Sequence, residues 1–404
     1  GRRVFSGLHD LEEFVGQPLH AVAAARERGV RDDVPVVCGL DVLAMGDVNA
    51  TTYAQELHTG LLRQAGGLPA TAALQYRAHV PRGDVWEGAY IDDHGVLGRG
   101  PRSLSAPVWK DARRLHDKAR GAYASVGVPD TAAKRVEAAD EFVVWGAEVR
   151  GAGELPAVGV PRVKRLVLAY LTTRTAAIGH VTAGLFRSLL GSWVDVCSYQ
   201  RPLLSLLDAS FRFLELLEAH RREGGERQRL IWHLPGAVRS ELHVLAALAP
   251  MAETPLQGHH LPALYVTDAS PDGAAIVEVR DLPLECIAEV ARTAVSPGVR
   301  ESKVGQPGTC RGDDAVGEIL ESCSKRRLVA AWQFQRRPRT IHIGEAIARR
   351  SLVHRLARDP AAHGGHFVGV HDSAVLVGAA VKGRCRSSEV RSECRRAVPA
   401  LLAA

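Results

Sequence analysis

The spacing of apolar residues divides the N-terminal third of the chain into short strands and helices. Residues 36–60 run from an apolar strand into a helix on which Tyr53, Leu57 and Leu61 fall on one face. Residues 85–97 place two short apolar strands around a pair of aspartates, a pattern that predicts a hairpin with a tight turn.

Leucine-rich helical spacing dominates the middle of the chain. A helix is predicted from about 109 to 126, and a strand with a glycine break over 141–150. Residues 162–222 carry apolar positions at i, i+3 and i+4 and predict several helices, and another helix is predicted over 236–249.

Strand and helix patterns alternate toward the C-terminus. Residues 263–279 predict strand, turn and strand. Residues 340–359 predict a short strand end followed by a helix, and residues 366–383 a buried strand followed by a helix. A hairpin followed by strand–helix alternation indicates a small mixed sheet.

Composition limits the class of protein. With 404 residues, 46% hydrophobic and 24% charged, the chain falls in the globular range and is long enough for more than one core. It has no run of about 20 uncharged apolar residues and no apolar signal-peptide region, so we expect no membrane span and no secretion, and an intracellular location in cytoplasm or nucleus.

Cysteines and histidines give no metal-binding motif. The seven cysteines form no CxxC pair, so neither a disulfide framework nor a zinc ribbon is indicated. His363 and His366, in AAHGGH, lack cysteine partners at suitable spacing, which favours a glycine-rich surface loop.

The basic residues are almost all arginine. Of 51 basic residues 7 are lysine and 44 arginine, and the formal net charge is +6. This mild excess is compatible with a polyanionic partner and equally with an ordinary enzyme that has a solubilising arginine excess. Aromatic content of 5% argues against a dedicated single-strand binder.

The predicted hairpin turn carries the sharpest chemical signal, Tyr90-Ile91-Asp92-Asp93. Adjacent carboxylates repel each other, and a divalent cation with hard oxygen ligands, such as magnesium, removes that cost. For the aspartate pair alone, the tolerance of aspartate for turns would be a sufficient explanation. Because a tyrosine precedes the pair and apolar strands flank it, the segment resembles the YxDD signature of reverse transcriptases.

Other segments follow in the order of that family. The family has an earlier aspartate on a strand, a glycine turn before a helix, a loop lysine, a hydrophobic-glycine hairpin and a helical thumb. The corresponding segments here are Asp10 with Phe14, Met45-Gly46, Lys134, FVVWG at 142–146, and the leucine-rich run 185–207.

The resemblance implies two-metal nucleotidyl transfer from a dNTP to a primer 3′-hydroxyl on an RNA template. By resemblance, two Mg²⁺ ions per active site would be held by Asp10, Asp92 and Asp93. Lys134 would protonate or screen the departing pyrophosphate. The positions implied to contact substrate or template are Met45, Gly46 and Tyr90.

A second set of carboxylates lies in the C-terminal part. Asp268 and Asp372 each end an apolar strand, and Glu345 stands at a helix start, as a two-metal nuclease requires. The order TDAS, IHIGE, HDS and KGR at 382–384 resembles the RNase H domain attached to retroelement polymerases. The resemblance implies Asp268 and Asp372 as metal ligands, Glu345 as a third catalytic carboxylate, and an RNA–DNA hybrid as substrate.

Three positions depart from the family pattern. Val15 stands where the family has an aromatic gate, Ile347 where it has glutamate, and only Glu393 is available as a fourth carboxylate. These departures, with the absence of an initiator methionine, lead us to expect a fragment or decayed copy of a retroelement polyprotein.

The resulting prediction is an α+β chain of three domains. Residues 1–155 would form a reverse-transcriptase palm with a ferredoxin-like sheet and partial fingers, 156–255 a helical thumb and connection, and 256–404 an RNase H-like α/β domain. The predicted function is RNA-directed DNA polymerase of a retrotransposon. One alternative is a catalytically inactive remnant that only binds nucleic acid; another is an unrelated metal-dependent hydrolase.

Overall fold

The computed structural model describes most of the chain. The described residues are 4–5, 8–15, 20–37, 49–75, 78, 80–101, 103, 105–128, 135–153, 155–223, 230–295 and 325–403. The fold is mixed, about 51% helix and 21% strand, with small sheets. It divides into two compact units, one of Gly1–Ala73 with Arg82–Asp130 and one of Leu74–Pro81 with Thr131–Ala404.

The first unit is built from helices and two-stranded sheets. Its elements are β1 (Val4–Phe5), α1 (Leu8–Val15), α2 (His20–Glu27), β2 (Val36–Val37), α3 (Ala50–Gln64), β3 (Val85–Tyr90), β4 (Asp93–Gly98) and α4 (Pro107–Ser125). β1 pairs with β2 and β3 with β4, both antiparallel.

Helix α4 packs closely against the β3–β4 hairpin. A Cβ atom on Gly98 would lie 2.4 Å from the ring of Trp109, so only glycine lets the helix approach the strand this closely. The buried apolar side chains of this part of the unit include Leu62, Leu115 and Ala119. The hairpin predicted over 85–97 is confirmed. The described residues of this unit form no sheet larger than two strands, so the ferredoxin-like sheet stays a prediction.

The second unit begins with a four-stranded antiparallel sheet and a helical layer. The elements are β5 (Glu141–Val144), β6 (Ala147–Arg150), β7 (Ala157–Gly159), α5 (Arg162–Ile178), β8 (His180–Thr182), α6 (Ala183–Ser198), α7 (Asp208–Glu223), β9 (Ile231–His233), α8 (Gly236–Leu248) and β10 (Glu253–Pro255). The sheet order is β10-β7-β6-β5, and β8 pairs with β9. Strands β5 and β6, which the sequence assigned to the N-terminal domain, therefore belong to this unit.

Leucine and aromatic side chains form the core of the helical layer. Phe186, Trp193, Leu203 and Leu245 are fully buried together. The indole nitrogen of Trp193 donates to the Thr172 hydroxyl over 2.8 Å, so the buried donor has a partner. The helices predicted over 162–222 and 236–249 are confirmed.

The rest of the second unit is a mixed sheet with helices on both faces. The elements are β11 (His259–Ala269), β12 (Gly273–Arg280), α9 (Leu284–Val295), β13 (Arg326–Gln333), α10 (Ile341–Leu356), β14 (Gly365–Val370), α11 (Ala374–Lys382) and α12 (Ser388–Ala403). The order is β13-β12-β11-β14; β11 is antiparallel to β12 and parallel to β14.

Alternating side chains of β11 serve two cores. Leu264 packs with Ile287 of α9 on one face, whereas Tyr265 packs with Leu352 of α10 on the other. The small mixed sheet is confirmed. One local expectation differs, because the chain enters α10 directly at Ile341 without the short strand end predicted there. The strand predicted from residue 366 is confirmed as β14, so His366 lies in a strand and not in the glycine-rich loop that AAHGGH favoured.

A search of the described residues finds no helix that is both long and apolar enough to span a bilayer.

Candidate active sites

The YIDD segment forms the tip of the β3–β4 hairpin. Tyr90 and Asp93 make the last cross-strand pair, so Ile91 and Asp92 are the two turn residues. Ile91 adopts φ 53°, a left-handed conformation that is costly for a β-branched residue. Tyr90, Asp92 and Asp93 are exposed. Both carboxylates are thus presented to solvent, adjacent in sequence, at the end of a short ribbon.

Two side chains of α3 hold this turn. The Gln55 amide donates to the Ala89 carbonyl over 3.1 Å and its oxygen accepts from the Ile91 amide over 2.8 Å. The His58 Nδ1 contacts the Ile91 carbonyl at 2.8 Å, and its Nε2 contacts the Tyr123 hydroxyl at 2.7 Å. The backbone on both sides of the strained residue is therefore fixed by a neighbouring helix.

A buried ion-pairing group lies beneath the turn. The Glu87 side chain, 0% exposed, faces the His94 Nε2 at 3.0 Å and also accepts from the Leu68 amide. A carboxylate removed from water requires such partners. Sequence reasoning missed this polar layer. It placed Tyr53 and Leu57 on one helical face, but these are 56% and 70% exposed, and the positions of α3 that contact the turn carry polar side chains.

The other residues proposed for the polymerase site are placed differently. Asp10 lies in helix α1, half-buried, where the resemblance expected a strand. The apolar spacing of Leu8, Leu11 and Val15 is helical, which explains the difference. Met45, Gly46 and Lys134 lie outside the described residues.

The C-terminal candidates lie around one end of the parallel β11–β14 pair. Thr267, near the end of β11, is buried and contacts His371 just beyond β14, with 2.6 Å between Oγ1 and Nδ1. Asp268 and Asp372, the next residues of each segment, are both exposed at the strand ends. Ser373 caps α11 by accepting from the Leu376 amide over 3.3 Å.

Glu345 of α10 is a buried carboxylate with an unsatisfied oxygen. Its residue is 5% exposed, and its Oε2 has no hydrogen-bond partner. The Nδ1 of His342 lies 3.6 Å from this oxygen, and that nitrogen also contacts the Ser373 hydroxyl at 3.1 Å. A buried carboxyl oxygen without a donor is unfavourable unless a cation or water reaches it, so Oε2 suits a metal ligand.

The three C-terminal carboxylates do not converge. Because side chains alternate along β11, Asp268 lies on the same side as Leu264, the face covered by α9, whereas Glu345 belongs to α10 on the opposite face. Within the described residues no three His, Cys, Asp or Glu side chains group as a metal site, which includes Asp10 with Asp92 and Asp93.

Glu393, considered as a fourth carboxylate, is committed elsewhere. It is buried and lies 2.7 Å from the Arg350 guanidinium and 2.8 Å from that of Arg396. It therefore joins helices α10 and α12 and is not available as a metal ligand.

The imidazole beside the strand ends is neutral at pH 7. Burial, and to a lesser extent the positive charge of Arg349, lower the pKa of His371 to about 4 against the opposing effect of Asp372. A neutral ring can accept from, or donate to, the Thr267 hydroxyl according to its tautomer.

The chain was compared with protein families, with curated proteins and with solved structures, and none of the three comparisons produced a match.

Proposed function

We propose that the chain is an RNA-directed DNA polymerase of retroelement type with an attached RNase H-like domain. The observation that carries the proposal is the β3–β4 hairpin, whose tip exposes the consecutive carboxylates of Asp92 and Asp93. The motif order Asp10, YIDD, TDAS, IHIGE and HDS supports it. The partners proposed are an RNA template, a DNA primer, their hybrid and dNTPs.

The chemistry proposed for the hairpin needs adjacent hard-oxygen ligands. Bound Mg²⁺ would activate the primer hydroxyl and neutralise the leaving pyrophosphate. The chain's own contribution is to hold the two carboxylates in place, and Gln55 and His58 supply that through the turn backbone. The exposed carboxylates and the unsatisfied Glu345 oxygen are hard oxygen ligands of the kind that magnesium prefers.

A basic surface on α4 supports a polyanionic partner. Lys110, Arg113, Arg114 and Lys118 line one depression of the surface together with Asp117. Asp111 of the same helix pairs with Arg114 at 3.2 Å, and the four cations still outnumber these two carboxylates, which gives a locally positive surface suited to phosphate contacts.

The second candidate is a protein that binds nucleic acid without catalysis. It is favoured by a specific observation: among the described side chains no three carboxylates converge, and Asp10 lies on a helix. This function requires the basic surface of α4 but not the two-metal chemistry.

Primer extension on an RNA template with Mg²⁺ separates the two candidates. The polymerase proposal expects incorporation that is abolished by Asp92→Asn with Asp93→Asn. Asp84→Asn, at the exposed opposite end of the same hairpin, is the matched control and should extend normally. Absence of extension in the wild type, with hybrid binding retained, would establish the binding-only function.

Hydrolysis of the RNA strand of a hybrid tests the C-terminal domain. Glu345→Gln should abolish Mg²⁺-dependent cleavage, whereas Glu389→Gln, on the exposed start of α12, should leave it unchanged. Cleavage that persists in the Glu345 variant would refute the proposed role of this carboxylate. A binding assay on the same variants distinguishes lost chemistry from lost substrate affinity.

A further inference from the structure

Helix α5 carries most of its large apolar side chains on the outside. Six of them are at least half exposed and recur at helical spacing: Val163, Leu166, Val167, Tyr170, Leu171 and Ile178. They form one stripe from the first turn of the helix to the last, which we call the outer face of α5. No other helix has more than two exposed large apolar side chains among its described residues.

The opposite face of α5 is buried and carries polar side chains. Arg165 is 4% exposed, and its guanidinium donates to the carbonyls of Val160 and Ala249. Thr172 and Thr175 are buried on the same face. A helix of a globular domain normally turns its apolar stripe toward the core. Packing within the described part of the chain therefore does not explain the apolar outer face.

The composition of the outer face is typical of a protein–protein interface. Tyr170 lies at its middle, and Arg174 follows one turn later within the stripe. Tyrosine and arginine are enriched where such interfaces bury most surface. A contiguous exposed apolar patch of this kind is uncommon on a monomer and marks an interaction site.

The order of residues along the outer face is nearly symmetrical. Val163 and Ile178 lie at equal distances from a point between Tyr170 and Leu171. An antiparallel pair of α5 helices with a two-fold axis through this point would set each valine against the partner's isoleucine. The outer face is thus complementary to a second copy of itself.

The charges on or beside this face are compatible with such a pair. α5 has no acidic residue, and Lys164 and Arg174 are exposed. In the antiparallel arrangement Lys164 would face Ala177, and Arg174 would face Val167, so neither cation meets its own copy. The aliphatic part of Arg174 can cover the partner's Val167 while its guanidinium reaches solvent.

We propose that the outer face of α5 is the interface of a homodimer in which two copies of α5 pack antiparallel about a two-fold axis. The six side chains of each copy, twelve in the pair, would bury on the order of 1,000 Å² of surface, which reaches the size of a specific interface. This size indicates a dissociation constant in the micromolar range. The interface is independent of the candidate carboxylates and of the proposed polymerase function.

Sedimentation equilibrium of the full chain, freed of nucleic acid by nuclease treatment, tests the interface. We expect a monomer–dimer equilibrium. Val167→Glu and Leu171→Glu should each raise the dissociation constant at least tenfold, because each places a carboxylate from both copies in an apolar contact. Leu216→Glu, at a leucine of α7 that is 59% exposed, is the matched control and should dimerise like the wild type. Circular dichroism should show all three variants folded, since each position is exposed in the single chain.

Two double variants test the antiparallel order. Val163→Lys with Ile178→Glu would bring opposite charges together across the two-fold axis, whereas Val163→Glu with Ile178→Glu would bring like charges together. The first should therefore dimerise several-fold more tightly than the second at low salt. Equal dissociation constants would overturn the antiparallel pairing.

Four further outcomes would overturn the proposal. The first is a chain that stays monomeric up to about 100 μM, well above the expected dissociation constant. The second is a dimer that survives in the Val167→Glu, Leu171→Glu double variant. The third is an equal loss of dimer in Leu216→Glu. The last is a monomer that binds vesicles of anionic phospholipid and loses this binding in Val167→Glu, which would assign the outer face to a membrane surface.

Discussion

The position of the Asp92-Asp93 pair depends on a side chain that bears no charge, Gln55. Its amide makes two hydrogen bonds to the turn, to the Ala89 carbonyl and the Ile91 amide. We predict that Gln55→Ala releases the turn without unfolding α3, because position 55 lies inside a helix and alanine is a good helix former.

The expected size of the effect follows from the two bonds. Each is partly buried and contributes about 1 kcal/mol net, so the pair contributes about 2 kcal/mol. The left-handed conformation of Ile91, φ 53°, costs about 1–2 kcal/mol, a comparable amount of opposite sign. Loss of about 2 kcal/mol lowers the ratio of held to released turn roughly 30-fold.

Hydrogen exchange measures this ratio without requiring catalysis. The Ile91 amide should exchange roughly 30-fold faster in Gln55→Ala. The neighbouring exposed position gives the matched control, and Glu56→Ala should leave the rate unchanged. Adding Ile91→Gly to Gln55→Ala relieves the strained conformation and should recover part of the protection of the residue-91 amide.

Unchanged exchange at Ile91 in the Gln55 variant would refute the reasoning, because the two bonds would then carry no anchoring free energy. Primer extension by the same variant is the second readout. The turnover number should fall with the exchange protection, while the affinity for the RNA–DNA hybrid stays constant. Normal exchange with lost extension would point to a role in substrate contact instead.

Two further predictions concern the second unit. Gly383 and Gly364 both have positive φ, 65° and 68°, but a Cβ on Gly383 would lie 1.8 Å from the Arg201 carbonyl oxygen, whereas Gly364 faces open space. In urea unfolding, Gly364→Ala should lower the free energy of unfolding by about 1 kcal/mol, and Gly383→Ala should lower it clearly more. Equal losses in the two variants would show that the close approach of the Arg201 carbonyl has no effect. Burial raises the pKa of the Cys197 thiol to about 12. At pH 8 iodoacetamide should therefore modify the half-buried Cys286 and spare Cys197 in the native protein. Peptide mass spectrometry that found Cys197 modified before unfolding would contradict this prediction.

Periodicity predicted those elements whose apolar residues meet a large core. The strands of 263–279 and the helices of 162–222 follow their spacing because each buries a continuous apolar face. It predicted helix α3 correctly but not the face that is buried, because Leu57 is exposed while side chains of the inward face bind the backbone of a hairpin turn. It also gave no signal for β13, since the arginine-rich start of Arg326–Gln333 lies at a sheet edge.

The candidate sites were only partly accessible from the sequence. The YIDD motif could be recognised in the sequence because its residues are consecutive. The role of Gln55 could not, because the Ile91 amide that it binds lies 36 residues away in sequence. The proximity of the His260 and His366 rings depends on a parallel strand register, which no local pattern encodes.

Buried carboxylates elsewhere in the chain show what a structural role requires. Glu241 accepts from the Ala209 amide and from the amide and hydroxyl of Ser210, each over 2.9 Å, and lies 3.2 Å from the Arg395 guanidinium. Glu345 has one imidazole at 3.6 Å and an oxygen without a donor. Since an incompletely paired buried charge destabilises a fold, Glu345 contributes to stability only when a cation or water reaches that oxygen. A stabilising effect of Mg²⁺ that disappears in Glu345→Gln would therefore link the carboxylate to a ligand, and a more stable Glu345→Gln protein without any Mg²⁺ effect would favour the binding-only function.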